Sequence, residues 1–328
     1  MGNYIINVTD MQEVVGAPLE DVSASGRVRP WRWKKVANEV LAMAYDTVDA
    51  DKAARLRDCG SYLAFNIHPD GSKELAAMVS CRVRLCPICA WRRSLKVYAH
   101  TMAILDYMAK QRQYSYVMLT LTVENCAGDK LSNTLDNIFA AWGRMSRRVE
   151  FTRAVRGWYR GLEVTHNVDP HSKAYDTYHP HLHCLIAVNP SYYTSRNYVS
   201  QARWTQLWQE SLRVDYTPVV DIRRVKGTTA AAIAEVSKYA AKEGDYIIPD
   251  DWDLTVDTVA TLDAALAHRR LVAYGMDMLN AKRALALDDE ETGDLVHVDN
   301  QPDTAEVGHV VTYYWYTGYR QYYTSDMI

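Results

Sequence analysis

The sequence has no apolar run of about 18 residues, the length that a membrane-spanning helix needs. Its first residues also lack the charged and then apolar pattern of a secretory signal. These two absences argue against a membrane-embedded or secreted protein and predict a cytoplasmic one. With 328 residues, of which 48% are hydrophobic, the chain can bury one large core or two modest ones.

An excess of positive charge is also lacking, because the formal net charge is -3. The overall balance therefore does not identify a nucleic-acid-binding protein, but the local distribution of charge favours one. Residues 288–306 contain eight acidic side chains and neither Lys nor Arg, whereas five cations crowd an earlier region: Arg82, Arg84, Arg92, Arg93 and Lys96. The cluster predicts a basic surface for phosphates, although an ordinary solvated face has the same composition.

The most informative stretch is His179-Pro180-His181-Leu182-His183, which opens an apolar run. In a strand, residues two apart face the same side, so His181 and His183 are expected to converge while Leu182 and Cys184 face the core. Two convergent imidazoles can bind one metal ion. His179 is placed outside this pair because Pro180 interrupts regular strand pairing, and a pair of His179 with His181 is the alternative.

A carboxylate can complete this site. Glu163 lies in an alternating segment, and the polar loop of residues 167–178 predicts that this segment and the histidine strand form an antiparallel pair. Two imidazoles and one carboxylate leave coordination positions open, which suits a divalent ion that binds substrate oxygen. Taken alone, Glu163 is better explained as a solvated strand charge.

An alanine-rich segment, residues 229–243, is predicted to be a helix. Glu235 and Tyr239 are four residues apart, as are Lys238 and Lys242, so each pair is expected to share a helical face. A tyrosine hydroxyl near a metal-bound phosphate and lysine cations can attack phosphorus. An amphipathic helix with a buried tyrosine is the alternative.

Four of the six cysteines form a group in the sequence. Cys81, Cys86 and Cys89 are tightly spaced, and Cys59 precedes them across a predicted hairpin of residues 61–67 and 74–80. Four thiolates in this arrangement predict a structural zinc site, which a reducing cytosol favours over a disulfide. Cys126 is unrelated to this group, and Cys184 is expected to be a buried strand residue.

The order of predicted elements indicates an α+β fold with a central antiparallel sheet backed by helices. Strands are expected at 116–124, 158–166, 181–188, 217–225 and 310–316. Helices are expected at 34–58, 90–111, 131–148, 199–213, 229–243 and 258–286. We predict three parts: a helical and zinc-binding region (1–112), a catalytic domain (113–250), and a C-terminal helix, acidic segment and strand (251–328).

Three ordered motifs resemble those of plasmid rolling-circle replication initiators in the HUH endonuclease superfamily. They are Leu119-Thr120-Leu121-Thr122, His179-Pro180-His181-Leu182-His183, and Glu235 followed by Lys238, Tyr239 and Lys242. Residues 27–32, 86–93, 270–275 and 293–297 are similar to the subgroup with one catalytic tyrosine preceded by a glutamate. The likeness covers nearly the whole chain and implies a fold of the RRM or ferredoxin-like type.

The resemblance implies nicking of one strand at a plasmid double-strand origin. Tyr239 would keep the 5′ phosphate, a 3′-OH would prime synthesis, and Glu235 would assist a terminating cut. Family members use Mg or Mn, act with a host helicase and DNA polymerase, and bind duplex origin and single-stranded DNA. The alternatives are a single-tyrosine transposase or relaxase, and a non-catalytic zinc-containing DNA-binding repressor. Oligomers are compatible with this reading.

Basic and aromatic residues also alternate near the start of the first predicted helix. Trp31 and Trp33 are interleaved with four cations, and such interleaving is typical of nucleic-acid contacts. The cations that we predict to contact DNA here are Arg29, Arg32, Lys34 and Lys35.

Overall fold

The computed structural model describes residues 16–23, 26–226, 229–237, 240–298 and 309–324. The described residues fall into two compact units, one within Met1–Ile88 and Asn300–Ile328 and one within Cys89–Asp299. None of the described helices is long and apolar enough to cross a membrane.

Helices in the described residues follow the apolar spacing of the sequence. In α4, for example, Leu135, Ile138, Trp142 and Met145 are buried, as their helical spacing predicts. In chain order the helices are α1 (Trp31–Val48), α2 (Ala50–Asp58), α3 (Pro87–Gln111), α4 (Gly128–Met145), α5 (Val149–Ala154), α6 (Gln201–Leu212), α7 (Thr229–Val236), α8 (Trp252–Leu266) and α9 (Asp277–Ala284).

The strands belong to two antiparallel sheets. In chain order they are β1 (Tyr62–Ile67), β2 (Lys73–Met78), β3 (Ser115–Thr122), β4 (Val155–Asn167), β5 (Thr177–Val188), β6 (Val220–Arg224), β7 (Val272–Met276), β8 (His309–Tyr316) and β9 (Gln321–Thr324). The predicted α+β class with antiparallel sheets backed by helices is therefore confirmed.

The first unit contains the sheet with strand order β2-β1-β8-β9. The predicted hairpin is confirmed as β1 paired with β2, and the predicted terminal strand is β8, which pairs with the other edge of β1. The predicted helix at 34–58 is two helices. Asp49 separates them, and its side chain accepts a hydrogen bond of 3.0 Å from the Lys52 backbone N–H, which caps the start of α2.

The second unit contains the sheet with strand order β6-β3-β5-β4-β7. The histidine strand β5 lies at its centre, between β3 and β4. Leu182, Cys184 and Ile186 are buried on one face, as predicted. On the opposite face, part of the sheet packs in a core with α3, α7 and α9 through residues such as Ile104, Leu185 and Ile233.

Two predicted helices end earlier than the sequence pattern indicates. The prediction of one helix at 258–286 is wrong. Helix α8 ends at Leu266, and His268 has a φ of 56°. Residues 272–276 form the edge strand β7, which pairs with β4. The helix predicted at 229–243 ends at Val236, residues 240–242 are not helical, and Glu243–Asp245 is a 3-10 turn.

Candidate active site

Strand register brings Glu163 and the two histidines together. Glu163 on β4 lies directly opposite His181 on β5, and His183 lies opposite Gly161. Cross-strand neighbours share a face of the sheet, so all three side chains converge. The predicted antiparallel pairing of these two segments is confirmed.

Distances within this group fit one metal ion. Glu163 Oε2 is 2.9 Å from His183 Nε2 and 3.5 Å from His181 Nε2, and the two Nε2 atoms are 3.1 Å apart. Adjacent ligands of an octahedral ion bound at about 2.1 Å lie about 3 Å apart, so these three atoms can hold such an ion. Among the described residues, Glu163, His181 and His183 thus form a group that could bind a metal ion.

Neighbouring backbone fixes the orientation of His181. Its Nδ1–H donates to the carbonyl oxygen of His179 at 3.1 Å, which leaves Nε2 as a lone-pair donor toward the site. The His183 Nδ1 lies 3.4 Å from the Thr120 hydroxyl on β3. His179 thus contributes a backbone acceptor, and the pairing of His181 with His183 is the one that the geometry favours.

Lys242 contacts the second oxygen of Glu163. Burial acts to raise the pKa of Glu163, but the close contacts with the rings of His181 and His183 and with the Lys242 ammonium outweigh it and hold the pKa well below its usual range. Glu163 is only 4% exposed, and its lowered pKa means that the carboxylate is ionised in this largely dehydrated position. An ionised, oriented carboxylate is what a divalent ion requires.

Gly161 leaves room next to His183. A Cβ at this position would meet the Tyr159 hydroxyl at 2.8 Å and the Val236 carbonyl oxygen at 3.2 Å. The Tyr159 hydroxyl donates to that same carbonyl at 2.8 Å, which anchors the end of α7 to β4. The glycine therefore permits close approach of the end of α7 to β4.

An open cavity of about 520 Å³ adjoins His183. Glu235 of α7 lines it together with Thr120, and so do Asp221 and Arg223 of the edge strand β6. Asp221 and Arg223 belong to no motif in the sequence. Only the strand register shows that they lie near the site, because Asp221 pairs with Thr120 on β3, and Thr120 in turn pairs with His183.

The predicted nucleophile Tyr239 and its neighbour Lys238 lie outside the described residues. On their N-terminal side, the Val236 carbonyl accepts the bond from Tyr159. On their C-terminal side, the Ala240 carbonyl accepts a 2.7 Å bond from the Val164 N–H, next to Glu163. The described chain on both sides is therefore fixed to β4, on either side of the Gly161–Glu163 segment.

The four predicted zinc ligands form a second group. Cys59, Cys81, Cys86 and Cys89 are buried, and their sulfur atoms lie within 4.8 Å of one another. The Sγ atoms of Cys59 and Cys86 are 3.6 Å apart, close to the value of about 3.8 Å for thiolates bound to zinc at about 2.3 Å. None of the cysteines in the described residues forms a disulfide. This group can hold a metal ion.

We expect purified protein to contain about one zinc per chain under reducing conditions. Cys86→Ser should lower both zinc content and folding yield, because a lost ligand removes metal-binding free energy from folding. Cys126→Ser should leave zinc content and folding yield unchanged. Cys184 is fully buried, so Cys184→Ser is a control that removes a core thiol but should not remove zinc. Folded, active protein without zinc by elemental analysis would contradict the assignment.

A family comparison identifies the chain. The family model described as "Replication protein" matches residues 72–323. The chain belongs to this replication protein family. The resemblance to replication initiators is thereby confirmed at the level of the family. No solved structure matches the chain significantly.

Relatives of this replication protein extend over most of its length. A "Protein rep" of Bacillus amyloliquefaciens is 36% identical over 335 residues, covering 93% of this chain and 96% of the relative. A "Protein rep" of Lactiplantibacillus plantarum is 36% identical over 88% of this chain and 92% of the relative. One of Streptococcus pneumoniae is 33% identical, covering 94% and 96%.

Three of the predicted DNA-contacting cations of this replication protein lie in the interior. The ammonium of Lys35 donates to the carbonyl oxygens of Arg57 and Cys59, both at 2.7 Å, and burial lowers its pKa. Arg92 is 1% exposed, and Lys96 is 2% exposed. Side chains held in this way do not present their charge to DNA phosphates, so these three assignments are corrected.

Contacts with the acidic segment account for the burial of two of these three cations. Arg92 donates to the carbonyls of Leu295 and Val296, at 2.9 and 2.5 Å. Lys96 contacts the Asp288 carboxylate and the Asp294 carbonyl. The described part of the segment, residues 288–298, thus packs on α3, where the Asp288 carboxylate neutralises Lys96 and backbone carbonyls accept hydrogen bonds from Arg92.

The other six predicted cations reach the surface to differing degrees. Arg32 and Arg82 are exposed, although the Arg32 Nε donates to the Arg320 carbonyl at 2.8 Å. The half-exposed members are Arg29, Lys34, Arg84 and Arg93. Arg29 lies 3.6 Å from the Asp21 carboxylate.

Proposed function

We propose that the chain is a plasmid rolling-circle replication initiator of the HUH type, a metal-dependent nickase of one strand at the double-strand origin. The observation that carries this proposal is the convergence of Glu163, His181 and His183 beside a cavity that Glu235 also lines. Membership in the replication protein family supports the biological role. The geometry supports the chemistry.

The residues of the site have separable roles in this proposal. Glu163, His181 and His183 would hold a divalent ion, Mg or Mn, which supplies polarisation of the scissile phosphate when bound. The carbonyl of His179 keeps His181 in the ligating tautomer. Lys242 forms an ion pair with Glu163. Its ammonium would also place a positive charge beside a bound phosphate.

Tyr239 would supply the nucleophile, with Lys238 as a nearby cation. Its phenolic oxygen attacks phosphorus, the bond from phosphorus to the 3′ oxygen breaks, and the proton moves from the phenol to the released 3′-OH. The 5′ phosphate stays on the tyrosine. Residue 239 is one peptide bond from Ala240, whose carbonyl is fixed next to Glu163, and this supports the assignment.

Origin binding is assigned to the remaining surface cations: Arg29, Arg32, Lys34, Arg82, Arg84 and Arg93. We propose that residues 1–112 bind zinc and DNA, that 113–250 carry the chemistry, and that 251–328 form a C-terminal part with a helix, the acidic segment and a strand. Because β7 at Val272–Met276 completes the central sheet, the fold of the catalytic part continues beyond residue 250. A host helicase and a DNA polymerase would act at the released 3′-OH, in the cytoplasm.

The test is an assay of supercoiled plasmid carrying the cognate origin, with protein and Mn²⁺. We expect the native chain to produce open circles that carry covalently bound protein. Tyr239→Phe should produce neither, because the ring remains but the attacking oxygen is gone. A non-catalytic repressor would bind the origin and cut nothing, and a Tyr239→Phe variant that nicks normally would contradict the proposed nucleophile.

A further inference from the structure

Lys35 is a buried cation of α1 that lies beside the four-cysteine group. This group consists of Cys59, Cys81, Cys86 and Cys89. Only 1% of Lys35 is exposed, and its ammonium donates to the carbonyl oxygens of Arg57 and Cys59, each at 2.7 Å. Carbonyl oxygens satisfy the N–H donors but do not neutralise the charge, and an ammonium buried without an anion is strongly unfavourable. Lys35 therefore requires anionic neighbours.

The sulfur atoms are buried partners that can meet this requirement. The groups whose negative charge would stabilise the ammonium are the sulfurs of Cys59 and Cys86 and the carboxylates of Glu39 and Asp58. Asp58 is exposed, so water already solvates its carboxylate, and Glu39 is only half-buried. The sulfurs differ, because Cys59 and Cys86 are fully buried. A charge on these sulfurs would gain most from a buried cation.

Charge balance connects Lys35 with metal binding. Four protonated thiols are neutral and would not compensate the ammonium. Four thiolates around one divalent ion such as zinc carry a net charge of about -2, and burying that excess is unfavourable as well. The ammonium and the thiolates therefore offset each other's cost of burial when both are present.

The backbone around Cys59 holds the ammonium in place. Cys59 directly follows α2, and the carbonyls in the last turn of a helix favour a cation. The Tyr322 hydroxyl donates to the Gly60 carbonyl at 2.8 Å. Gly60 has a φ of 65°, and a Cβ there would meet Ile88 at 2.8 Å. The carbonyls of Arg57, Cys59 and Gly60 are thus all bonded, which fixes the position of the first cysteine of the group.

We propose that Lys35 is the counter-cation of the zinc site: its charge raises the affinity of the four-cysteine group for zinc and stabilises the electrons on the sulfurs. This inference rests on the zinc binding proposed above and is independent of the nicking chemistry. Groups that support metal ligands from outside the coordination shell typically change metal affinity by about ten- to a hundredfold. A residue that only capped α2 would make the same two hydrogen bonds, so the test has to measure charge.

The experiment loads the full chain with Co²⁺ in place of zinc under reducing conditions and records its absorption spectrum. A cation near sulfur stabilises the sulfur electrons and so raises the energy of the sulfur-to-cobalt charge-transfer band, whereas the d–d bands report the tetrahedral geometry. Lys35→Met keeps most of the side-chain length but not the charge. We expect it to move the charge-transfer band to lower energy with the d–d bands unchanged. Zinc affinity, measured by competition with a chromophoric chelator, should fall about tenfold.

Two further variants complete the test. The Glu39 carboxylate accepts a hydrogen bond of 2.6 Å from Trp315 Nε1, and Glu39→Gln keeps an acceptor there while it removes a negative charge. The charge of Lys35 is then less offset, so the band should move to higher energy. Lys52→Met is the matched control, because Lys52 is a half-exposed lysine of α2 that pairs with Asp49. It should leave the band and the zinc affinity unchanged.

An unmoved charge-transfer band in folded Lys35→Met would overturn the role of Lys35. If Lys35→Met does not fold, an unmoved band in Glu39→Gln overturns it instead. A native chain that binds neither zinc nor Co²⁺ would refute the zinc site and the counter-cation together. If the native chain and Lys35→Met bind zinc equally tightly and give the same cobalt spectrum, the zinc site stands and the role of Lys35 does not. The plasmid assay tests the nicking function separately.

Discussion

His183→Ala is expected to lower the rate of plasmid nicking by more than about a hundredfold while origin binding survives. His183 lies at the centre of the proposed site, because its Nε2 is within 3.1 Å of both His181 and Glu163. Losing it removes one of the three ligands. Phosphate contacts elsewhere supply most of the affinity for DNA, so binding does not depend on this ring.

The measurement is the initial rate of open-circle formation, together with origin affinity in a gel-shift assay. His171→Ala is the matched control, because His171 is an exposed histidine in the loop between β4 and β5 and should leave both quantities unchanged. Chelation of divalent ions should reproduce the loss in the native chain, and added Mn²⁺ should restore it. The metal assignment would be refuted if His183→Ala nicked plasmid at the native rate and chelation did not slow the native chain.

Sequence alone predicted this part of the site because it depends on strand periodicity. His181 and His183 alternate with buried Leu182 and Cys184, and alternation fixes which face each residue occupies. The polar loop that follows β4 required an antiparallel return, and the register then set Glu163 opposite His181. Local pattern and topology agree here, so the sequence alone is enough to group the three residues.

The segment after α7 could not be predicted in the same way. Alanines and lysines favour a helix, but the Ala240 carbonyl instead accepts a hydrogen bond from Val164 at the edge of β4. A tertiary bond to a strand distant in sequence outweighs a local propensity of a few tenths of a kcal/mol per residue. Similarly, the free edge of β4 recruits Val272–Met276 as a strand where the pattern predicted a helix.

Burial of charge was the other quantity that composition could not give. Lys35 and the exposed Trp33 lie only two residues apart on α1, yet Lys35 is 1% exposed and Trp33 is 67% exposed. Which face of a helix is covered depends on what packs there. For Arg92 and Lys96 the covering element is the acidic segment, distant by about two hundred residues in the chain.

Glu235→Gln is expected to separate the start of replication from its end. A rolling-circle enzyme must cut once to begin and again when the fork returns, and a site with one tyrosine needs a second nucleophile. A carboxylate can act as general base for a water molecule, and hydrolysis would release the enzyme from the terminating strand. Gln has nearly the same shape but cannot accept the proton.

Position supports Glu235 in this role for a different reason from the one that the sequence suggested. The expected reason was a shared helical face with Tyr239, but the described helix ends at Val236. Instead, Glu235 lines the cavity that His183 and Thr120 also line. A water molecule in that cavity can therefore lie between the carboxylate and a phosphate at the histidines.

We therefore expect Glu235→Gln to keep the first cut and the covalent Tyr239 adduct but to produce displaced strands longer than one plasmid unit. The measurement is the length distribution of displaced single strands in a replication assay, with adduct formation followed in parallel. Glu243→Gln is the control, because Glu243 lies in the same region but lines a separate cavity with Ser94 and Tyr98. Efficient release of unit-length circles by Glu235→Gln would leave the glutamate a structural residue of α7, while the tyrosine assignment would be unaffected.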